Sequence, residues 1–390
     1  ILMFYLYFLG AIIFIVLLFF AIIKIRFRFW SIQPVFHFYN LWYWMFPPGI
    51  IIHDKPQENK YTNLKDIKFI NYNSLNPIDK ESFVKFIQDY YLNTTEIQYK
   101  PEKGNIIPYF ENTKNSFFSM YFKENYDTDA SNNIITKSDL IAVMTSRMLN
   151  VSIDNNEFTT YYVDYLCVHK DHRKQGIAQQ IIQTHDYYQR KNTVIPTSFF
   201  KREGKLNAIV PLVVYKTYGF NMEYWNKPVN FHPQIKILRI NKSNINLLST
   251  FIKSHKQMFK VYVCPDINIL IDLIETGNIL IYCLLQNSNI LSIYFFKDSS
   301  TFYHDRRALD CFGSINNCLD DNLFIGGLSK IIKDLREHYK FLIMENISHN
   351  YKIIENIIKE HTPYFVSPTA YYFYNFATRP VLEKDVLIIC

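Results

Sequence analysis

The sequence predicts an α/β (α+β) fold in which mixed sheets are flanked by helices, behind one N-terminal helix long enough to cross a membrane. Three observations predict it. Residues 158–168, FTTYYVDYLCV, are aromatic and β-branched as a strand requires, and they lead through a short basic loop into a helical pattern. At 390 residues the length suggests two domains, and helix and strand patterns resume after a composition break near residues 226–233. Residues 1–23 are uncharged and almost wholly apolar.

At about 1.5 Å per residue, that first segment spans roughly 35 Å, enough for one tilted crossing. It is long for a cleaved signal peptide and has neither a basic n-region nor a small-residue cleavage site. Lys24, Arg26 and Arg28 follow directly. The positive-inside tendency then predicts a single-pass anchor with the rest of the chain facing the cytosol. Residues 36–78 read as irregular, broken at Pro47-Pro48-Gly49, and residues 79–92 as a helix capped by Asp79. Residues 101–137 read as a long loop with one short helix around 117–122. Residues 140–153 and 158–168 form a hairpin across Asp154-Asn155-Asn156.

Beyond Lys170 the period changes: Ile177, Ile181, Ile182, His185 and Tyr188 recur at helical spacing, predicting a helix over 176–190. Strands follow at 193–200 and 209–214, and residues 215–220 close the first lobe. The second lobe reads as helices at 245–257 and 267–273, strands at 279–285, 290–296 and 307–312, a helix at 323–338 and a strand at 341–344. Residues 370–376 form a late strand. The division is thus an anchor at 1–23, one lobe at 24–226 and another at 227–390.

The loop between residue 168 and the 176–190 helix carries the chemistry. A strand-to-helix loop presents free N–H groups and the positive end of a helix dipole, which suits a phosphate. Gly176 lets a ligand approach the backbone, and Arg173 and Lys174 add charge. A solvated β–α turn is the plain alternative. The net charge of +7 is modest, and without a Lys/Arg-rich block it predicts no nucleic-acid partner. The six cysteines, Cys167, Cys264, Cys283, Cys311, Cys318 and Cys390, form no C-x-x-C pair and predict no metal site. Scattered cysteines of this kind fit a reducing compartment. N-x-S/T triplets at Asn93, Asn150, Asn241 and Asn346 are close to chance in so Asn-rich a chain.

Residues 162–178, YVDYLCVHKDHRKQGIA, resemble the LCxHK core of the N-myristoyltransferase family. Their second half fits the R/Q-x-x-G-x-G/A loop of the broader GNAT acyltransferase superfamily. Residues 27–35, FRFWSIQPV, are similar to the aromatic W-x-x-Q-P-V element that opens that family's catalytic core. AYYFYNF at 370–376 resembles its late YYLYNW strand. The resemblance implies two tandem GNAT-like domains and an acyltransferase that moves myristate from myristoyl-CoA to N-terminal glycines of peptides or proteins. Acyl-CoA is then a co-substrate, no cofactor is permanently bound, and the enzyme is monomeric.

By resemblance, the backbone N–H groups of Tyr165 and Leu166 stabilise the oxyanion, and the α-carboxylate of Cys390 is the base for the amine. Asp164 stands where the family has an Asn near that amine. Arg28, Phe29, Trp30, Val168, Arg173, Lys174, Gln175, Gly176, Ile177 and Ala178 bind CoA, and Tyr91 and Thr197 face the acceptor. His169 matches the family but reads more readily as a packing or capping residue, and Cys167 as a small buried one.

Three departures bear on specificity. Asn93-Thr94-Thr95 replace an acidic run of the peptide groove, and Tyr364 to Thr369 replace a Gly-Asp-Gly signature. The RKQGIA loop is closer to generic acetyltransferases. Two alternatives therefore stay open: an N-acyltransferase using acetyl- or another acyl-CoA, and an inactive membrane-anchored protein that binds acyl-CoA.

Overall fold

The computed structural model describes residues 2–113, 115–128, 134–204, 208–225 and 231–390. Its centre is a fifteen-stranded mixed sheet. From one edge the order runs Val386–Ile388, Val261–Cys264, Ile134–Ile153, Asn156–Val168, Ser198–Glu203, Phe365–Tyr374 and Val213–Asn221. It continues through Phe341–Glu345, Arg306–Asn316, Asn289–Tyr303, Ile279–Gln286 and Ile235–Arg239.

Local chemistry explains the elements. The hairpin between Ile134–Ile153 and Asn156–Val168 turns on two residues, Asp154 (φ 46°) and Asn155 (φ 68°), both left-handed. That geometry matches the twist of the flanking strands, and Asp and Asn tolerate it better than most residues. Pro77–Tyr90 is a helix capped by Asn76, whose side chain accepts from the Asp79 N–H at 2.7 Å; Asp79 lies inside the first turn instead of capping it. Residues 117–122 are strand, not helix: Phe117–Thr128 pairs with both Ile67–Asn71 and Ile134–Ile153. Phe117, Phe118 and Met120 are buried there, and cross-strand pairing overrides local pattern.

The region 101–137 also holds a helix at Lys103–Ile106, and its residues 114 and 129–133 lie outside the described residues. The strands expected at 193–200 and 209–214 form later, at Ser198–Glu203 and Val213–Asn221. Residues 226–230, within the expected lobe boundary, lie outside the described residues.

The two halves of the chain are laced together. Phe365–Tyr374 lies between Ser198–Glu203 and Val213–Asn221, and Val386–Ile388 runs parallel to Val261–Cys264 beside Ile134–Ile153. One apolar cluster accordingly joins Phe83, Phe118 and Tyr165 to Ile281, Phe295 and Leu387. The last residues are core residues: Ile389 is fully buried and Cys390 nearly so, whereas chain ends usually fray. Leu2–Arg26 forms one apolar helix, long and apolar enough to cross a membrane.

Candidate active site

Asn156–Val168 and Ser198–Glu203 are parallel neighbours only at Tyr161–Ser198 and Tyr162–Phe199; beyond those pairs the strands part. On its other side, Asn156–Val168 carries a β-bulge. Val143 faces Cys167 and Thr145 faces Asp164, so Met144 alone stands opposite Tyr165 and Leu166. Tyr165 has φ 49°, which turns this piece of backbone out of the regular ladder.

A cavity of about 630 Å³ occupies the gap. Its walls include Asp164, Tyr165 and Leu166 of the bulge, Tyr91 and Leu92 beyond the Pro77–Tyr90 helix, Trp30 stacked on Phe200 (6.2 Å), and Lys297 from the second half.

The bulge backbone is already engaged. The Tyr165 N–H donates to Oδ1 of Asp164 at 2.9 Å, and Thr145 Oγ1 donates to the Asp164 carbonyl at 3.0 Å. Tyr165 is braced from behind by Tyr99, their hydroxyls 3.1 Å apart, and by Tyr91 at 5.7 Å between ring centres. Burial pushes the Tyr91 and Tyr165 phenols well above their ordinary range, with Asp164 adding to both shifts, so they are neutral donors at physiological pH.

Cys390 packs in one apolar cluster with Tyr162, whose side chain also lines the cavity. Burial first, then the charge of Cys390 and that of Asp164, raise the Tyr162 phenol. Arg147, 1% exposed, is held between the rings of Tyr109 (4.9 Å) and Tyr162 (5.0 Å), and its three guanidinium nitrogens make no hydrogen bond. Burial works against the Lys297 ammonium, but Tyr109, Asp164 and Cys390 outweigh it and raise its pKa. Lys297 thus feels both groups expected to handle an amine, while Arg147 is stacked on the Tyr162 ring. Sequence reasoning passed over both cations; the signal available was a charged residue inside an otherwise apolar strand.

The loop after the bulge strand opens the helix Ile177–Asn192. Gly176 caps it at φ 81°, and no side chain fills the cap. Lys174 is also left-handed at φ 65°. Arg173 is committed elsewhere: Nε donates to the Val168 carbonyl (3.1 Å) and an Nη to the Tyr90 carbonyl (3.0 Å), clamping the loop to the neighbouring helix end. Gln175 donates to the Asp171 carbonyl at 3.2 Å. Ile177 is a core residue, packed in a cluster with Met144 and Ile181. His169 caps the turn below, its Nδ1 accepting from the Asp171 N–H at 3.3 Å.

Of the other expected residues, Phe29 is buried against Tyr61 and Trp30, and Arg28 is exposed. Thr197 is buried where the strands part, its hydroxyl donating to Thr160 at 3.0 Å. Burial pushes the Cys167 thiol up to about 12, which leaves it no nucleophile at neutral pH.

One wall of the cavity is polar, which the helical period of the sequence had hidden. Ile182, His185 and Asp186 reach it from the helix, and Ser198 and Tyr374 from strands. His185 bridges Ser119 and Ser146 at 2.8 Å each, and burial pushes it down to about 3, leaving the ring neutral. Burial pushes Asp186 up to about 7 against the pull of Arg190. One Asp186 carboxylate oxygen is buried without a partner, as are Gln189 Oε1 and Gln33 Nε2.

A mixed sheet whose neighbouring strands part beside a bulge, followed by a glycine-capped helix, defines an acyl-CoA N-acyltransferase fold, and its particular form is that of the N-myristoyltransferases. A crystal structure of Saccharomyces cerevisiae N-myristoyltransferase with bound myristoyl-CoA superposes with TM-score 0.68, covering 93% of this chain and 99% of that one at 11% identity. A second structure of that enzyme with bound myristoyl-CoA gives 0.69, again at 11% identity, over 93% of this chain and 94% of the other. At that identity the likeness is one of fold. No protein-family model and no curated protein matches the sequence.

Proposed function

We propose that the chain is an acyltransferase that moves an acyl group from acyl-CoA to an amine, with the N-terminal glycine of a peptide as the first acceptor to test. The observation that carries this reading is the cavity between the parted strands, walled by the bulge and by Ile182, His185 and Asp186 of the helix that Gly176 caps. The CoA phosphates lie over the open N–H groups at Gly176, Ile177 and Ala178, with Lys174 beside them, while Arg173 fixes the loop. Trp30 flanks the CoA arm.

The thioester carbonyl faces the Tyr165 and Leu166 N–H groups. The amine nitrogen attacks that carbon, the C–N bond forms, the C–S bond breaks, and the CoA thiolate leaves with the proton that the new amide nitrogen gives up. Before attack, the ammonium gives its proton to the Cys390 α-carboxylate, with Asp164 as the second acceptor.

Asp164 has a further part in this scheme. Its carboxylate holds the Tyr165 N–H until an ammonium arrives and competes for it. Acceptor binding thereby releases the donor to the thioester oxygen, where such donors contribute about 10²–10³-fold in rate. Residues 1–23 hold the enzyme at a membrane with its body in the cytosol. The body then divides into a CoA-binding lobe at 24–226 and an acceptor-side lobe at 227–390.

A second reading is favoured by the polar wall. A saturated fourteen-carbon chain would cover the partnerless oxygen of Asp186 without pairing it, at a cost of about 1–3 kcal/mol for such a group. A shorter or polar acyl group leaves room for water or supplies the missing bond. Turnover measured over a panel of acyl-CoAs, from acetyl to tetradecanoyl and including hydroxylated chains, separates the two. A preference rising steadily with saturated length supports myristate, and a maximum at short or hydroxylated chains supports the second reading. Retention of acyl-CoA without turnover on any amine would reduce the protein to a binding module.

A further inference from the structure

We infer that residues 38–46, a turn followed by the short aromatic helix Leu41–Met45, form a second membrane contact lying in the interface of the bilayer that Leu2–Arg26 crosses; this rests on the anchor reading above. Six side chains on this segment are large, apolar and outward-facing: Leu41 is 72% exposed, Trp42 62%, Phe46 60%, Met45 53%, Phe38 42% and Trp44 41%. A water-facing surface rarely gathers so many at once, and a patch of this kind marks an interaction site.

The occupant follows from continuity with the apolar helix. Phe38 packs edge-on against Phe19 (6.2 Å) and Tyr39 against Phe20 (5.7 Å), so the patch extends the exposed surface of Leu2–Arg26 without a break. Depth agrees. Phe20 lies six residues before Arg26, or about 9 Å along the helix axis. If Lys24, Arg26 and Arg28 mark the headgroups, residues 38–46 reach the depth at which interfacial helices settle. Trp and Tyr concentrate at that level, as Tyr39, Trp42, Tyr43 and Trp44 do here.

The segment is fixed in place. Trp44 Nε1 donates to the Phe38 carbonyl at 3.0 Å, the Phe38 N–H to the Ala208 carbonyl at 3.1 Å, and Arg379 to the Met45 carbonyl at 2.9 Å. A rigid contact on both sides of residues 27–37 sets the orientation of the body and brings Trp30, at the cavity wall, beside the bilayer. An amphiphilic acyl-CoA then has a short path from the membrane surface to the site.

The test uses the full chain reconstituted into vesicles whose lipids carry bromine high on the acyl chains, with tryptophan quenching as readout. The chain has four tryptophans, Trp30, Trp42, Trp44 and Trp225. Strong quenching in the wild type that falls by about half or more in W42F supports the contact. Quenching that does not change in W42F and W42F/W44F, while the protein resists alkaline carbonate extraction, overturns the contact and leaves the anchor standing. Release by carbonate overturns the anchor and this surface together.

Discussion

Asp186 and His185 are neighbours on one helix whose burial acts in opposite directions. An unfolded Asp ionises near pH 4, but Asp186 keeps its proton in the folded state to about 7. Its stabilising contribution is complete below the unfolded value and is lost as pH rises toward 7. His185 is held neutral down to about 3, whereas an unfolded His takes a proton near 6.5. Its contribution is present above 6.5 and is lost as pH falls. Between about pH 4 and 6.5 the two slopes cancel. We predict that the wild type's stability advantage over D186N falls across that window by about 1.4 kcal/mol per pH unit; parallel pH profiles would contradict the assignment.

At Asp164 the prediction is kinetic. D164N should raise the acceptor KM about tenfold or more, since a bond to a charged group is worth about 1.5–3 kcal/mol, and should leave the acyl-CoA KM unchanged. An unaltered acceptor KM would remove Asp164 from the amine site.

At the scale of elements, the loop-to-helix joint and the bulge decide what the site can hold. A Cβ on Gly176 would meet only Gln179 Oε1 at 3.8 Å, so space is not the obstacle to a larger residue. The obstacle is φ 81°, which costs a non-glycine residue about 1 kcal/mol. G176A should lose about that much stability and bind acyl-CoA about fivefold more weakly as the loop relaxes. Wild-type affinity in this variant would argue against phosphate binding at the joint. The Asn76 cap offers a comparison remote from the cavity: N76A should cost about 1 kcal/mol in denaturant unfolding with no change in acyl-CoA affinity.

This joint was legible in the sequence because period 2 gives way to period 3.6 at one basic, glycine-containing loop. The bulge was not legible: Tyr165 and Leu166 continue a strand pattern, and only pairing with Met144 exposes the extra residue. The strand Phe117–Thr128 was misread for a related reason, its pattern being set by two partners distant in sequence.

Across the whole molecule, early and late segments are brought together by the sheet. The late strands lace through both halves and carry Cys390 to the aromatic cluster around Tyr162 and Tyr371, the Tyr371 hydroxyl lying 3.7 Å from Cys390 Sγ. A few residues added after Cys390 should lower turnover sharply and leave acyl-CoA binding intact, because the carboxylate would be replaced by a neutral amide; unchanged turnover would dismiss it as the base. Sequence alone brought Cys390 to notice through family resemblance. Lys297 and Arg147 were marked in the sequence only as charged residues in apolar strands; their approach to Tyr109 is set by the meeting of the halves.

Acyl transfer itself is the most direct test of the proposed function. Purified full-length protein should be mixed with tetradecanoyl-CoA, or the best acyl-CoA of the panel, and a peptide beginning with glycine, and the products followed by mass spectrometry. The expected result is one acyl group on the peptide α-amine for each free CoA thiol released, with no acylated protein intermediate. An acyl-CoA that is neither bound nor consumed, with any amine offered, would contradict it.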